Sequence, residues 1–134
     1  MREAHIARDT KETKVKVDLN LDGSGQVDVS TGVGFMDHML ELLAFHGKFD
    51  LYVRVDGDLQ VDSHHTIEDL GIVLGQCLSQ ALGDKKGITR YGAFTIPMDE
   101  ALVACNLDLS GRPFLVFNVT LDNVLLGNYQ TEMT

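Results

Sequence analysis

Basic residues are scarce in this sequence. Eleven lysines and arginines stand against 20 aspartates and glutamates, a formal net charge of −9 at pH 7, and nowhere do they form a run. Such a surface disfavours nucleic acid and anionic membrane as main partners, although a few local arginines can still hold a small anion. Cysteine is scarcer still. Cys77 and Cys105 are the only two, each in an apolar periodic segment, and they read as reduced core residues rather than a disulfide, which fits a reducing cytoplasm. No apolar stretch approaches the ~20 residues that span a bilayer, and the N-terminus lacks the basic region, apolar run and cleavage site of a targeting signal. An H-E-x-x-H pattern and any nucleophile motif are also missing, which disfavours a metal-dependent hydrolase. What is there, with 44% hydrophobic residues over 134 positions, is enough to bury the core of a single domain, residues 1–134.

The stretch that carries chemistry is Asp62-Ser63-His64-His65-Thr66-Ile67-Glu68-Asp69. The spacing of Ile67, Leu70, Leu74, Cys77, Leu78 and Ala81 places it at the start of a helix running to about Leu82, capped by Asp62 or Ser63. On such a helix His64 and Glu68 stand one above the other, whereas His65 is turned by roughly 100° from His64. One ion can take His64 with Glu68. The adjacent histidines then point to two metal centres, or to one centre with a ligand from another segment. Neutral imidazoles with one carboxylate suit Mn²⁺ as well as Zn²⁺ or Fe²⁺.

Upstream, Glu3 to Thr10 carries a weak strand pattern, with His5 as a surface or edge histidine. Val15, Val17, Leu19 and Leu21 alternate with Lys14, Lys16, Asp18 and Asn20, the period of a strand with one buried face. Asp22-Gly23-Ser24-Gly25 then predicts a hairpin turn, with Gln26 to Ser30 returning as the partner strand. A helix follows Gly32-Val33-Gly34. Its apolar stripe is Phe35, Met36, Met39, Leu40, Leu43 and Ala44, with Met36 and Met39 as core filler, and Gly47 is expected to end it. His38 and His46 lie off the centre of that stripe. Phe49 to Val55 reads as a strand and Asp56-Gly57-Asp58 as a turn, while Gly71, Gly75 and Ser79 form a small-residue packing stripe on the double-histidine helix.

A second set of strands begins after Ile88 to Gly92, and with it a repeat. Glu12 to Gly23 aligns without gaps on Glu100 to Gly111, with five of twelve positions identical and the alternation in phase. Each copy is expected to turn and send back a β-rich strand, Gln26 to Ser30 in one and Pro113 to Thr120 in the other. The expected fold is α+β, a two-layer sandwich from a duplicated β-β-α-β-α unit, with residues 1–90 as first repeat and 91–134 as the start of a second. That second repeat is expected to be incomplete, because the counterpart of the double histidine would fall at about residue 152 or later.

Three blocks carry a family resemblance: Gly34-Phe35-Met36-Asp37-His38-Met39-Leu40, then His46-Gly47, then Asp62 to Asp69. In this order and spacing they resemble the imidazoleglycerol-phosphate dehydratases, from Ala7 to Thr134 and over about the first two thirds of a family chain. The resemblance implies a lyase of histidine biosynthesis that dehydrates imidazole glycerol phosphate to imidazole acetol phosphate. It also implies two manganese ions per complete site and a homo-oligomer of about 24 subunits with sites between them. Carried over by residue, it assigns His38 and His65 to one manganese and His64 and Glu68 to the other, all four lining the substrate as well. It makes Glu12 the acid/base and gives His46, Arg90 and Arg112 to the substrate, the arginines offering forked donors to its phosphate. Pattern alone does not separate Glu12 from Glu100 at the repeated position. The remaining ligands would come from a second His-His-x-x-Glu motif past Thr134; the alternative is an inactive, assembly-competent fragment of such an enzyme.

The implied chemistry is demanding, since the hydrogen removed from carbon is not acidic and hydroxide leaves poorly. Metals on the imidazole nitrogens stabilise an imidazolate whose electrons expel the hydroxyl, while a carboxylate such as Glu12 moves protons.

Overall fold

Thr13, Val15, Val17 and Leu19 are buried while Lys14 and Lys16 face solvent, and that alternation decides on which side of the sheet a core forms. The computed structural model describes all residues from Met1 to Thr134. It divides into two units, Met1–Gly83 with Thr120–Thr134, and Asp84–Val119.

In the first unit β1 (Glu3–Asp9), β2 (Thr13–Asn20), β3 (Val27–Ser30) and β4 (Asp50–Gly57) form one sheet, with α1 (Gly34–Gly47) before β4 and α2 (His64–Leu82) after it. The order across the sheet is β1-β2-β4-β3. β1 pairs antiparallel with β2, and β2 with β4, while β3 runs parallel to β4. The expected hairpin between β2 and β3 is therefore corrected, because β4 lies between them. The reason is the α1 crossover, which returns the chain parallel to β3 and feeds β4 into the sheet. Asp50, the first residue of β4, organises the intervening turn: its Oδ1 accepts the N–H groups of Ser24 at 2.8 Å and Gln26 at 3.0 Å. Gly23 permits the approach, since a Cβ there would sit 2.3 Å from the Asp50 nitrogen.

Both helices contribute to the core on one face of this sheet. Leu40 and Ala44 of α1 and Leu70, Val73, Cys77 and Ala81 of α2 pack with Val15, Val17, Leu19, Leu51 and Val53. Each large side chain so buried contributes about 1.5–3 kcal/mol. α2 runs over the predicted span, and Val73 joins the stripe read from the sequence. α1 departs more. Met36 packs against the core, but Met39 and Leu43 are 37% and 48% exposed, so Met39 is not core filler in this chain. α1 does end at Gly47 as expected, and the left-handed residue that follows it is Lys48. No atom approaches the places where side chains at Gly71 and Gly75 would stand.

Residues 120–134 add β7 (Leu125–Leu126), β8 (Tyr129–Gln130) and a 3₁₀ turn at Thr131–Met133. Tyr129 packs at 5.1 Å against Phe35, and Asn128 donates to the Gly32 carbonyl at 3.0 Å.

The second unit is a two-stranded ribbon of β5 (Tyr91–Met98) and β6 (Ala101–Asp108), exposed along its whole length. The repeat is visible in its register. The shift that carries Glu12 onto Glu100 also carries the β1–β2 pair Glu3–Asn20 onto the β5–β6 pair Tyr91–Asp108. Two expectations fail here. Cys105 is exposed and only Cys77 is buried, because nothing in the chain covers either face of the ribbon, and Pro113 to Thr120 forms no strand. No helix of the chain is long and apolar enough to cross a membrane.

Candidate metal and acid–base site

Three chain segments meet at the first turn of α2. The first is the helix itself, and its start is Asp62's work: the carboxylate accepts the His64 N–H at 2.9 Å, while Ser63, in the capping position, makes no such bond and keeps a buried hydroxyl without a partner. His64 and Glu68 stand as the helical period requires, His64 Nε2 lying 3.3 Å from Glu68 Oε2 with both side chains half exposed. The His64 and His65 rings lie next to each other, their centroids 5.5 Å apart and their planes tilted by 31°.

The second segment is the end of β4. Gly57 pairs with Thr13 and packs against the helix so closely that a Cβ there would lie 2.1 Å from Thr66 Oγ1. The next residue, Asp58, holds His65, with Oδ2 2.8 Å from Nδ1. That hydrogen bond, aided by the fields of Asp58, Glu12 and Asp62, raises the His65 pKa above its ordinary value.

The third segment is the turn between β1 and β2, which carries Glu12. Its ends are tied to Asp69, one helical turn beyond His65. The Asp69 carboxylate accepts from Arg8, Thr13 and Thr10. Burial alone would raise its pKa, and the hydrogen bonds from Thr13, Arg8 and Thr10 outweigh that and hold it below the usual carboxylate range.

This donor set suits a divalent metal. His65 is bound through Nδ1 to a carboxylate, the arrangement that leaves Nε2 free as a ligand in a defined orientation. His64 and Glu68 present a nitrogen and an oxygen close enough to share one ion. Within the chain, however, no three His, Cys, Asp or Glu side chains converge on one point. Two pairs are brought together, His64 with Glu68 and His65 with Asp58, and His38 joins neither as a third ligand. His38 and His46 are exposed on α1, the His46 ring edge-on to Phe45 at 5.3 Å.

Arg90 and Arg112 belong to the second unit. Arg90 forks onto Asp108 through Nε and Nη2, at 2.6 and 3.1 Å, and stacks over Tyr91. Arg112 is exposed, and its backbone N–H donates to Ser110.

Asp58 and Asp69 were missed by sequence reasoning. Asp58 hides in a turn-like Asp-Gly-Asp. Asp69 had a signal: it follows Thr66 by three and precedes Val73 by four, so a carboxylate stands on the buried face of the helix.

Residues 31–134 match the family described as imidazoleglycerol-phosphate dehydratase. The chain is 60% identical over 137 residues to a protein of that name from Lactococcus lactis subsp. lactis (strain IL1403), the match covering 99% of this chain and 68% of the relative. With its namesake from Streptococcus thermophilus (strain ATCC BAA-491 / LMD-9) the identity is 62% over 133 residues, covering 99% and 69%. The crystal structure of imidazoleglycerol-phosphate dehydratase from Staphylococcus aureus subsp. aureus N315 is similar at a TM-score of 0.84 and 39% identity, over 98% of this chain and 71% of that one. A Pyrococcus furiosus structure, described as in complex with (S)-C348, is similar at a TM-score of 0.74 and 31% identity, over 96% and 67%.

Proposed function

The chain belongs to the imidazoleglycerol-phosphate dehydratase family, and from that premise we propose that the turn of α2 carrying His64, His65 and Glu68 is its contribution to a manganese-dependent site that dehydrates imidazole glycerol phosphate to imidazole acetol phosphate. The supporting observation is the meeting of three things at the start of α2: the His64–Glu68 pair, the His65–Asp58 pair, and the turn that carries Glu12, tied to Asp69 by Thr10 and Thr13.

His64 and Glu68 would hold one ion, and His65, oriented by Asp58, would hold the second, with His38, which does not join the His65–Asp58 pair within one chain, as a further ligand. When bound, the ions supply Lewis acidity at the imidazole nitrogens of the substrate. Glu12, on the Thr10–Thr13 turn, takes the carbon-bound proton and can return one to the departing hydroxyl, so that water leaves and the enol left behind becomes the ketone by transfer of its hydroxyl proton to carbon. His46 contacts the substrate. Arg90 meets its phosphate through Nη1, the nitrogen outside the fork on Asp108, and Arg112 adds a second cation. Two ligand pairs without a third donor make an incomplete shell, so the site is completed between subunits of a homo-oligomer of about 24 copies. The setting is the cytoplasm.

In the manganese-loaded full-length protein, Glu12→Gln is expected to abolish turnover while leaving manganese content unchanged, and Glu68→Gln to lower manganese content; substrate consumption and metal analysis read the two. Wild-type turnover in Glu12→Gln would sink the assigned role.

A further inference from the structure

Asp69 is a carboxylate only 8% exposed on the core-facing side of α2, and it has no part in the chemistry above. A charge there is costly unless its oxygens are fully used. They are used by three donors from one short stretch. Arg8, on β1, donates to Oδ1, and Thr13, the first residue of β2, to Oδ2. The Thr10 hydroxyl also donates to Oδ2, at 3.3 Å, and accepts the N–H groups of Thr13 and Glu12 at 2.9 and 3.2 Å. The turn is closed by the Thr10 N–H on the Thr13 carbonyl at 2.8 Å. Both ends of the turn are thus clamped to one side chain, and Lys11 and Glu12 project from its exposed tip.

The clamp sits one helical turn after His65 and one residue after Glu68. A rigid helix therefore refers the Glu12 backbone to the same turn that presents the metal ligands. We propose that Asp69 is a positioning residue for the dehydration: its buried carboxylate fixes the Thr10–Thr13 turn, and with it the Glu12 carboxylate, relative to His64, His65 and Glu68. The inference rests on the reading of Glu12 as the acid/base. Placement of this kind is worth having because misplacing a reacting group by about 1 Å costs on the order of a hundredfold in rate.

Thr13→Val removes one clamp hydroxyl and keeps the side-chain volume, Arg8→Gln weakens the opposite side of the clamp, and Thr13→Ser restores the hydroxyl. Measured on manganese-loaded full-length protein below its melting temperature, Thr13→Val and Arg8→Gln should each lower kcat, Thr13→Val by on the order of a hundredfold. KM and manganese per chain should stay within about twofold, the signature of an interaction needed only in the transition state. Thr13→Ser should return most of the lost kcat. A role confined to stability would lower the melting temperature and leave kcat per folded site alone. If Glu12→Gln is inactive while Thr13→Val and Arg8→Gln turn over at the wild-type rate, the positioning role is wrong and the acid/base reading stands. Loss of manganese in step with kcat also overturns the proposal, because Asp69 would then support the ions. If Glu12→Gln itself turns over normally, the acid/base reading has failed and this inference falls with it.

Discussion

Aspartates of similar sequence setting do different work in this chain. Asp62 ends the orphan state of the His64 N–H, Asp58 orients an imidazole, and Asp69 clamps a turn, while Ser63, the residue that cap preferences favour, has a buried hydroxyl with no partner. Asp50 is a fourth case, and its role is titratable. Backbone N–H groups of Ser24 and Gln26 hold its carboxyl below the ordinary value. A carboxylate lowered by folding adds stability that is fully present above its unfolded value of about 3.9 and is lost as pH falls through the folded value. Asp50→Asn should therefore be less stable than the unmodified chain near neutrality, and the difference should shrink as pH falls below about 5 and through the lowered folded value. Urea midpoints at a series of pH values check this, and a gap that stays constant would assign the effect to something other than the charge.

At the scale of elements, the decisive contact is between the end of β4 and the first turn of α2. Gly57 reads in sequence as the middle of a turn, yet it is the last residue of the strand, and no left-handed backbone is needed there. Its requirement is space. A Cβ would lie 2.1 Å from Thr66 Oγ1 and 3.3 Å from Thr66 Cβ. Gly57→Ala should push the strand end from the helix at a cost of about 1–3 kcal/mol, and disturb the Asp58–His65 pair next to it. Thr66 Oγ1 has no hydrogen bond to lose, so Gly57→Ala/Thr66→Ala should cost less than the sum of the single variants. Denaturation of the four proteins supplies the cycle, and strict additivity would refute the steric account.

At the scale of the whole molecule the two units differ in what their sheets can bury. Val17 and Val53 are fully buried under the helices, whereas no residue of the β5–β6 ribbon is buried. A two-stranded ribbon is marginal by itself in water. Hydrogen exchange on this chain should show β2 and β4 opening only with global unfolding, and β5 and β6 exchanging by local opening at much lower free energy. Equal protection of the two units would contradict this.

Much was determined by sequence alone, wherever the interaction is local or periodic. The period of 3.6 placed His64 over Glu68 and carried α2 from the double histidine to Leu82; the period of 2 chose the buried face of β2; the alignment of Glu12 on Glu100 marked β2 and β6 as copies of one strand, although the partners expected for them, Gln26 to Ser30 and Pro113 to Thr120, are not the strands they pair with. Each depends on neighbours a few residues apart, or on a copy of the same pattern. Only the tertiary structure decided that β4 separates β2 from β3, that Met39 and Cys105 are exposed, and that Asp58, Gly57 and Asp69 build the setting of the site. These rest on partners up to 61 residues away, as in the Arg8–Asp69 pair. A carboxylate's chemical type is written in the chain, but which donors surround it is settled when the sheet and helix close on one another.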